Sequence, residues 1–458
     1  MLPKVKGRLL WSVAVAISLT LPSVTAAETL TDALVSAYQN SGLLDQNRAV
    51  LRAADEDVAQ AVSTLRPVIS YAGGTSYNSS DSVVGDRLSS SLSLSADLTL
   101  YDFGRRQLAL EAKKETVLAT REALIAIEQQ VLQRAVEAYM NVRREDEFVA
   151  LGENNVRLIT QELRAAQDRF EVGEVTRTDV AIAEARLAAS RANLAAAQGS
   201  LAQAREEYNA AIGRYPGQLA PPPAAPQTAA SLDSARAIAL QNHPDIRESQ
   251  RLVTVAELNV QRARTQMSPT LSLGADAQVD DDGTNTSSIG LNLGGIIYQG
   301  GQLRSLQRSA IANRDGSRAQ LHLAGDRVVQ NVGNAWAILL VARASIEATD
   351  RQITAARIAY LGTKEEATLG ARTTLDVLDA EQELLDAQAN RISAETDAQV
   401  AAYQLLSSMG YLTVKHLGLG VTTYDPAEYY NAVRNAPSRP LSEQGTRLDS
   451  LLRRTGRN

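Results

Sequence analysis

No proline interrupts the chain between Pro67 and Pro216, or between Pro269 and Pro426, and most of each interval follows a helical apolar period. Gly104 to Phe170 alone would form a helix of about 100 Å at 1.5 Å per residue. No single-domain core is that deep, so such a helix must belong to an elongated body of long helices packed side by side. Gly152 is the one residue expected to interrupt it. The return arm carries Leu187, Leu194, Leu201 and Tyr208 at sevenfold spacing, and a later arm carries Leu378, Leu385, Ile392 and Leu406 at multiples of seven. Heptads flanked by alanine predict close helix packing of the coiled-coil type.

These features occur twice because the chain is a tandem repeat. Leu30 to Asn40 matches Leu232 to Asn242, and Val58, Ala61, Pro67 and Ser70 fall on Val260, Ala263, Pro269 and Ser272. From Gly104 the match continues through Gly104 on Gly301, Val131 on Val328, Tyr139 on Trp336 and Gly213 on Gly410. Each unit is expected to contain a helix pair (residues 27–66 and 232–268), a β-hairpin (67–103 and 269–300) and a long helical hairpin (104–213 and 301–410). A Pro/Ala linker, 214–231, joins the units. The segment 411–458 becomes polar and arginine-rich, and from Asn435 onward disorder is expected.

After Pro67 and Pro269 the apolar period changes from 3.6 to 2. Leu88, Leu92, Leu94, Ala96, Leu98 and Leu100 alternate with Ser89, Ser91, Ser93, Ser95, Asp97 and Thr99. Leu271 to Val279 and Ile289 to Leu293 alternate in the same way, and Ile69, Tyr71 and Tyr77 share a face of the first strand. Four strands of about ten residues are long enough to cross a bilayer when tilted. A polar face of mostly Ser, Thr, Gly and Asn suits a wet lumen better than the outside of a soluble sheet. Four strands cannot close a barrel, and an open edge in lipid leaves backbone groups unpaired. The chain must therefore pool strands with copies of itself, two copies giving eight and three giving twelve.

Residues 1–26 read as a secretory signal, with Lys4, Lys6 and Arg8 ahead of an apolar run, Leu9 to Leu21, too short to span a bilayer. Loss of those three bases leaves 43 Lys and Arg against 52 acids, a net charge of −9 that argues against nucleic acid. The absence of cysteine excludes disulfides, thiolate metal sites and a lipidated N-terminal Cys. His243, His322 and His416 are far apart, and there is no phosphate loop. Neither catalytic nor metal nor cofactor residues are expected, and the chain is not read as an enzyme.

Two short stretches punctuate the long helices: Val172-Gly-Glu-Val-Thr-Arg-Thr-Asp-Val and Leu369-Gly-Ala-Arg-Thr-Thr-Leu-Asp-Val. Gly173 and Gly370 end one helix in a hairpin-tip turn. Thr176 and Thr373, with Asp179 and Asp376 three residues on, start the next with a hydroxyl cap and a first-turn carboxylate. These tips, the Tyr101-Asp-Phe-Gly and Tyr298-Gln-Gly-Gly helix starts and the duplicated unit resemble the TolC-type outer-membrane efflux and type I secretion channels over roughly Glu28 to Tyr430. Leu417 to Pro426 is similar to members that serve type I secretion.

The resemblance implies an α+β membrane protein. It is a homotrimer whose four strands per chain build a twelve-stranded barrel in outer-membrane lipid, continued by a periplasmic α-helical barrel. It implies docking on a periplasmic adaptor (membrane fusion) protein and on an inner-membrane ABC or proton-driven transporter, as the exit duct of a tripartite export system. Asp376 and Asp379 match the family's constriction rings, whose crowding should raise some of their pKa values. Arg372, Thr178 and Asp179 match its closed-state tethers. A further tyrosine tether falls on Ala367 and is missing. Without the resemblance, a periplasmic coiled-coil adaptor or scaffold is the alternative, and the amphipathic strands argue against it.

Overall fold

The computed structural model describes residues 27–79, 87–436 and 450. The expected signal segment, most of the first polar turn and nearly all of the basic tail lie outside the described residues. Helices α1 (Leu30–Asn40) and α2 (Gly42–Ser63) lead into strands β1 (Val68–Asn78) and β2 (Arg87–Tyr101), then into the hairpin of α3 (Arg105–Glu171) and α4 (Arg177–Ile212). The same order follows in α5 (Leu232–Asn242), α6 (Pro244–Thr265), β3 (Thr270–Asp280), β4 (Asn285–Gly294), α7 (Gln302–Thr368) and α8 (Thr374–Ser408). Short helices α9 (Val414–Leu417) and α10 (Pro426–Val433) complete the chain.

Helices α3 and α7 are each 67 residues long, about 100 Å. The expected interruption at Gly152 does not occur. The glycine lies inside α3, and a Cβ there would stand 3.3 Å from Leu194 Cδ1, so its bare face lets α4 approach closely. Helix α3 also packs against α1, α2, α6 and α8, while α7 packs against α5, α6 and α8. The largest core lies where α1, α3, α4 and the end of α8 meet, around Leu34, Leu132, Tyr139, Tyr208, Ile212 and Leu406. A fully buried leucine in such a core contributes about 2 kcal/mol. The Tyr139 hydroxyl donates to Ala220 O at 2.6 Å, which ties the proline-rich connection to this core.

The strands form one antiparallel sheet in the order β1-β2-β3-β4. The register pairs Tyr71 with Leu94, Leu92 with Val279, and Ala275 with Ile289, so one face is mostly apolar, with Thr75, Ser90, Asn285 and Ser287 towards the hairpin turns. The other carries hydroxyls that meet across strands, Ser70 with Ser95 at 2.7 Å and Ser76 with Ser89 at 2.8 Å. The helices do not cover the apolar face: Tyr71 is 83% exposed, Ile289 76% and Leu293 70%. Edge strands β1 and β4 each pair on one side only, and their outer edges meet no further strand among the described residues. Among the described residues no helix is long and apolar enough to cross a membrane.

The sheet joins the helices at fixed corners. Gly104 and Gly301 take φ of +80° and +85° immediately before α3 and α7, a conformation glycine reaches without strain. Arg106 donates to Asp102, Thr64 O and Thr99 O, binding the end of α2, the end of β2 and the start of α3 at one point. Helix α10 returns to α2, where Tyr429 donates to Glu56 at 2.8 Å and Arg66 donates to the carbonyls of Asn435 and Ala436.

Candidate functional site at the hairpin tips

The ends of the α3–α4 and α7–α8 hairpins farthest from the sheet are built alike. Gly173 and Gly370 have φ of +79° and +78°. Glu174 N donates to Arg169 O and Ala371 N to Glu366 O, both at 2.9 Å, closing each helix with the bond that reaches back five residues. Each following helix opens with a reciprocal capping box. Thr176 N donates to Asp179 Oδ2 at 2.8 Å and Thr373 N to Asp376 Oδ2 at 2.9 Å, while the aspartate amides donate back to the threonine hydroxyls.

These bonds set the charge of the tips. Hydrogen bonds from Thr176 hold the Asp179 carboxyl below the ordinary carboxylate range. Backbone and hydroxyl bonds from Thr373 do the same for Asp376. Within the chain the cap thus lowers Asp376, opposite to the rise expected from crowding. Asp379 has a partner that the sequence did not reveal: Arg186 of α4 donates to it at 2.5 Å, 193 residues away. Arg372 forms an ion pair with Glu366 of its own hairpin at 2.9 Å, and its own pKa is raised by that contact. Thr178 is exposed on the first turn of α4, and the structure of the chain does not join Arg372 to Thr178 or Asp179. Ala367 is buried with Tyr360 and Val377.

A second bridge lies just behind the tips. Lys364 of α7 donates to Glu162 of α3 at 2.6 Å and lies 5.6 Å from the Tyr360 ring centroid. Hydrogen bonding to Glu162 raises the lysine pKa. Beside it Glu381 of α8 is 4% exposed, with no hydrogen-bond partner for either carboxylate oxygen among the described residues. Burial, with a further push from Glu162 and an opposing pull from Lys364, raises its pKa to about 7. Glu162, Arg186, Lys364 and Glu381 were absent from the expected site. Pairing across about 200 residues leaves no local spacing to read.

His243 and His416 have structural contacts. His243 caps α6, accepting from Asp245 N, and His416 stacks on Tyr411 at 4.6 Å. Among the described residues no cluster of three or more His, Cys, Asp or Glu could hold a metal ion.

A family model described as outer membrane efflux protein matches residues 33–214 and 236–411. Outer membrane efflux protein BepC of Brucella suis biovar 1 (strain 1330) is 38% identical over 420 residues, covering 89% of this chain and 91% of its own. Outer membrane protein TolC of Escherichia coli (strain K12) is 26% identical over 448 residues, covering 92% and 87%. CusC, a solved structure described for its folding and transmembrane channel formation, aligns with a TM-score of 0.76 at 20% identity. The alignment covers 84% of this chain and 92% of that one, and this likeness is one of fold.

Proposed function

The chain belongs to the outer membrane efflux protein family, a family of transport channels, and from that premise we propose that it is the gated exit duct of a tripartite export system. It is an outer-membrane protein that extends into the periplasm. One observation carries the reading of a duct. A sheet with a bare apolar face and two open edges continues directly into helices about 100 Å long, whose far ends carry charged, interlocked tips. Apolar surface and unpaired edges in one sheet are satisfied together by lipid outside and further copies alongside. Three copies would give a twelve-stranded barrel and a helical tunnel beneath it.

The α7–α8 hairpin is the moving element of the gate, and the α3–α4 hairpin is its post. Asp376 and Asp379 of three chains would line the constriction, where carboxylates attract cations and slow anions. Arg372 is exposed, and by exchanging its Glu366 partner it would reach Thr178 and Asp179 of a neighbouring copy. A periplasmic adaptor would hold the tips, and an inner-membrane ABC or proton-driven transporter would supply the energy.

The test has two parts. Outer-membrane fractions should contain a heat-modifiable trimer, and the purified trimer should conduct ions in planar bilayers. In-cell crosslinking through the tips should then recover an adaptor and an inner-membrane transporter, and the transporter's class separates protein secretion from small-molecule efflux. A monomer soluble without detergent would overturn the reading in favour of a periplasmic scaffold.

A further inference from the structure

Glu381 is a costly residue to bury. Its repeat counterpart, Glu184 on α4, is exposed, so the shared ancestry of the two hairpins does not explain its position. The titratable groups that face it are Glu162 of α3 and Tyr360 and Lys364 of α7. The one cation among them is already bonded to Glu162 at 2.6 Å and lies 3.4 Å from the Tyr360 hydroxyl. Glu381 therefore lies between the hairpins, beside a second carboxylate and without a hydrogen bond of its own among the described residues. An ionised carboxylate in such surroundings relieves its desolvation either by taking up a proton or by reaching water.

We infer that Glu381 is a proton-binding site of the gate: its carboxyl is neutral while the two hairpins are closed together and ionises when they part. The inference rests on the reading of α7–α8 as the moving hairpin. Its direction follows from linkage. With the hairpins together the group titrates near 7. When water reaches it, its pKa returns towards an ordinary glutamate value of about 4.3. The closed state thus binds the extra proton between those limits. Closure is favoured by up to about tenfold per chain for each pH unit of fall through that window, and is unaffected by pH above it. The dependence is steepest in the middle of that window and falls to about half its maximum at the neutral edge, so the bias towards closure strengthens as the periplasm acidifies. The capping carboxylates do not share this window, because Asp179 and Asp376 are held low by their threonines.

The chain has no cysteine, so introduced labels report without background. Ala181→Cys on α4 and Ala371→Cys at the second tip are both exposed, and spin labels there measure hairpin separation in the detergent-solubilised trimer. Between pH 5 and pH 8 the distance distribution of the parent should move from short to long. Glu381→Gln, a neutral isostere, should stay short throughout. Glu162→Gln, which frees Lys364 for Glu381, should move the transition to lower pH. A Glu381→Gln trimer that opens with pH as the parent does would overturn the inference. So would an unmoved transition in Glu162→Gln, should the first variant fail to assemble. Separations that stay fixed in the parent and also in Lys364→Met would instead overturn the gate reading itself.

Discussion

Replacing Lys364 by Met should loosen the tip more than any other single exposed substitution there. Methionine keeps the length and apolar stem of lysine but removes the ammonium. The bridge to Glu162 is 2.6 Å long, with side chains 44% and 16% exposed, so it is neither a surface pair nor a buried one. Surface pairs contribute up to about 1 kcal/mol, and breaking a buried pair costs about 3–5 kcal/mol. With one partner half in water, about 1–2 kcal/mol per chain is the reasonable interval. The loss is compounded because Glu162 and Glu381 then face each other with no cation between them. One to two kcal/mol changes a two-state ratio by a factor of roughly 5–30, and three hairpins moving together would multiply that per-chain factor.

Single-channel recording in planar bilayers gives the open probability directly. Lys364→Met should raise it, and Glu162→Gln on top of Lys364→Met should recover part of the closure by removing the stranded charge. Arg351→Met is the control, since its pair with Glu347 is 80% and 70% exposed and should not matter. Strictly additive effects of Lys364→Met and Glu162→Gln would refute the bridge as a closing contact.

Asp376→Asn with Asp379→Asn should raise conductance and abolish block by trivalent cations, read as current against added cation; unchanged block would remove both from the constriction. Thr373→Ala should lose about 1 kcal/mol of cap and speed amide exchange over 374–377, leaving the α4 start unaffected. Because Asp179 and Asp376 have lowered pKa values, both caps should persist above pH 3.8 and fray as pH falls below it, followed by the same exchange measurement. Asp55, fully buried near Arg121 and Tyr424, is pushed up to about 7 by burial. Its contribution to folding is present at low pH and is lost as pH rises from 3.8 to about 7. Asp55→Asn should therefore stabilise the fold against unfolding at pH 8 by on the order of a few kcal/mol per chain, by roughly a third of that at pH 5, and change little below pH 3.8.

What could be read in the sequence was what local spacing determines. Capping boxes join residues three apart, strand faces follow period two, and helix ends follow glycine, so Thr373–Asp376, the Leu88–Leu100 face and Gly370 were legible. Gly152 was misleading, because a glycine's low helix propensity is outweighed when its missing side chain admits Leu194. Arg372 had a local competitor, Glu366, six residues back, that the family pattern did not single out. Glu184 and Glu381 are the same residue at matched positions with opposite burial, and no periodicity separates them. The docking of α10 on α2 pairs Tyr429 with Glu56 across 373 residues and left no trace in pattern.

The two bridges also fix how the hairpins stand against each other. Arg186 lies ten residues past its cap Thr176, whereas Asp379 lies six past Thr373. Glu162 lies nine residues before the end of α3, whereas Lys364 lies four before the end of α7. Both pairs therefore place the α7–α8 partner four or five residues nearer its tip, a stagger of about one helical turn or ~6 Å. Side-chain reach does not account for this. The long basic arm belongs to α4 in one pair and to α7 in the other, so any bias from arm length would have opposite signs, yet the stagger agrees. It is a property of the backbones, with the α7–α8 tip drawn back. Charge polarity reinforces it, since the α3–α4 hairpin offers a base to Asp379 and an acid to Lys364. Charge reversal tests this. Arg186→Asp with Asp379→Arg should restore the open probability that either change alone raises. Failure of the double variant to do so would mean that the pair does not set the stagger.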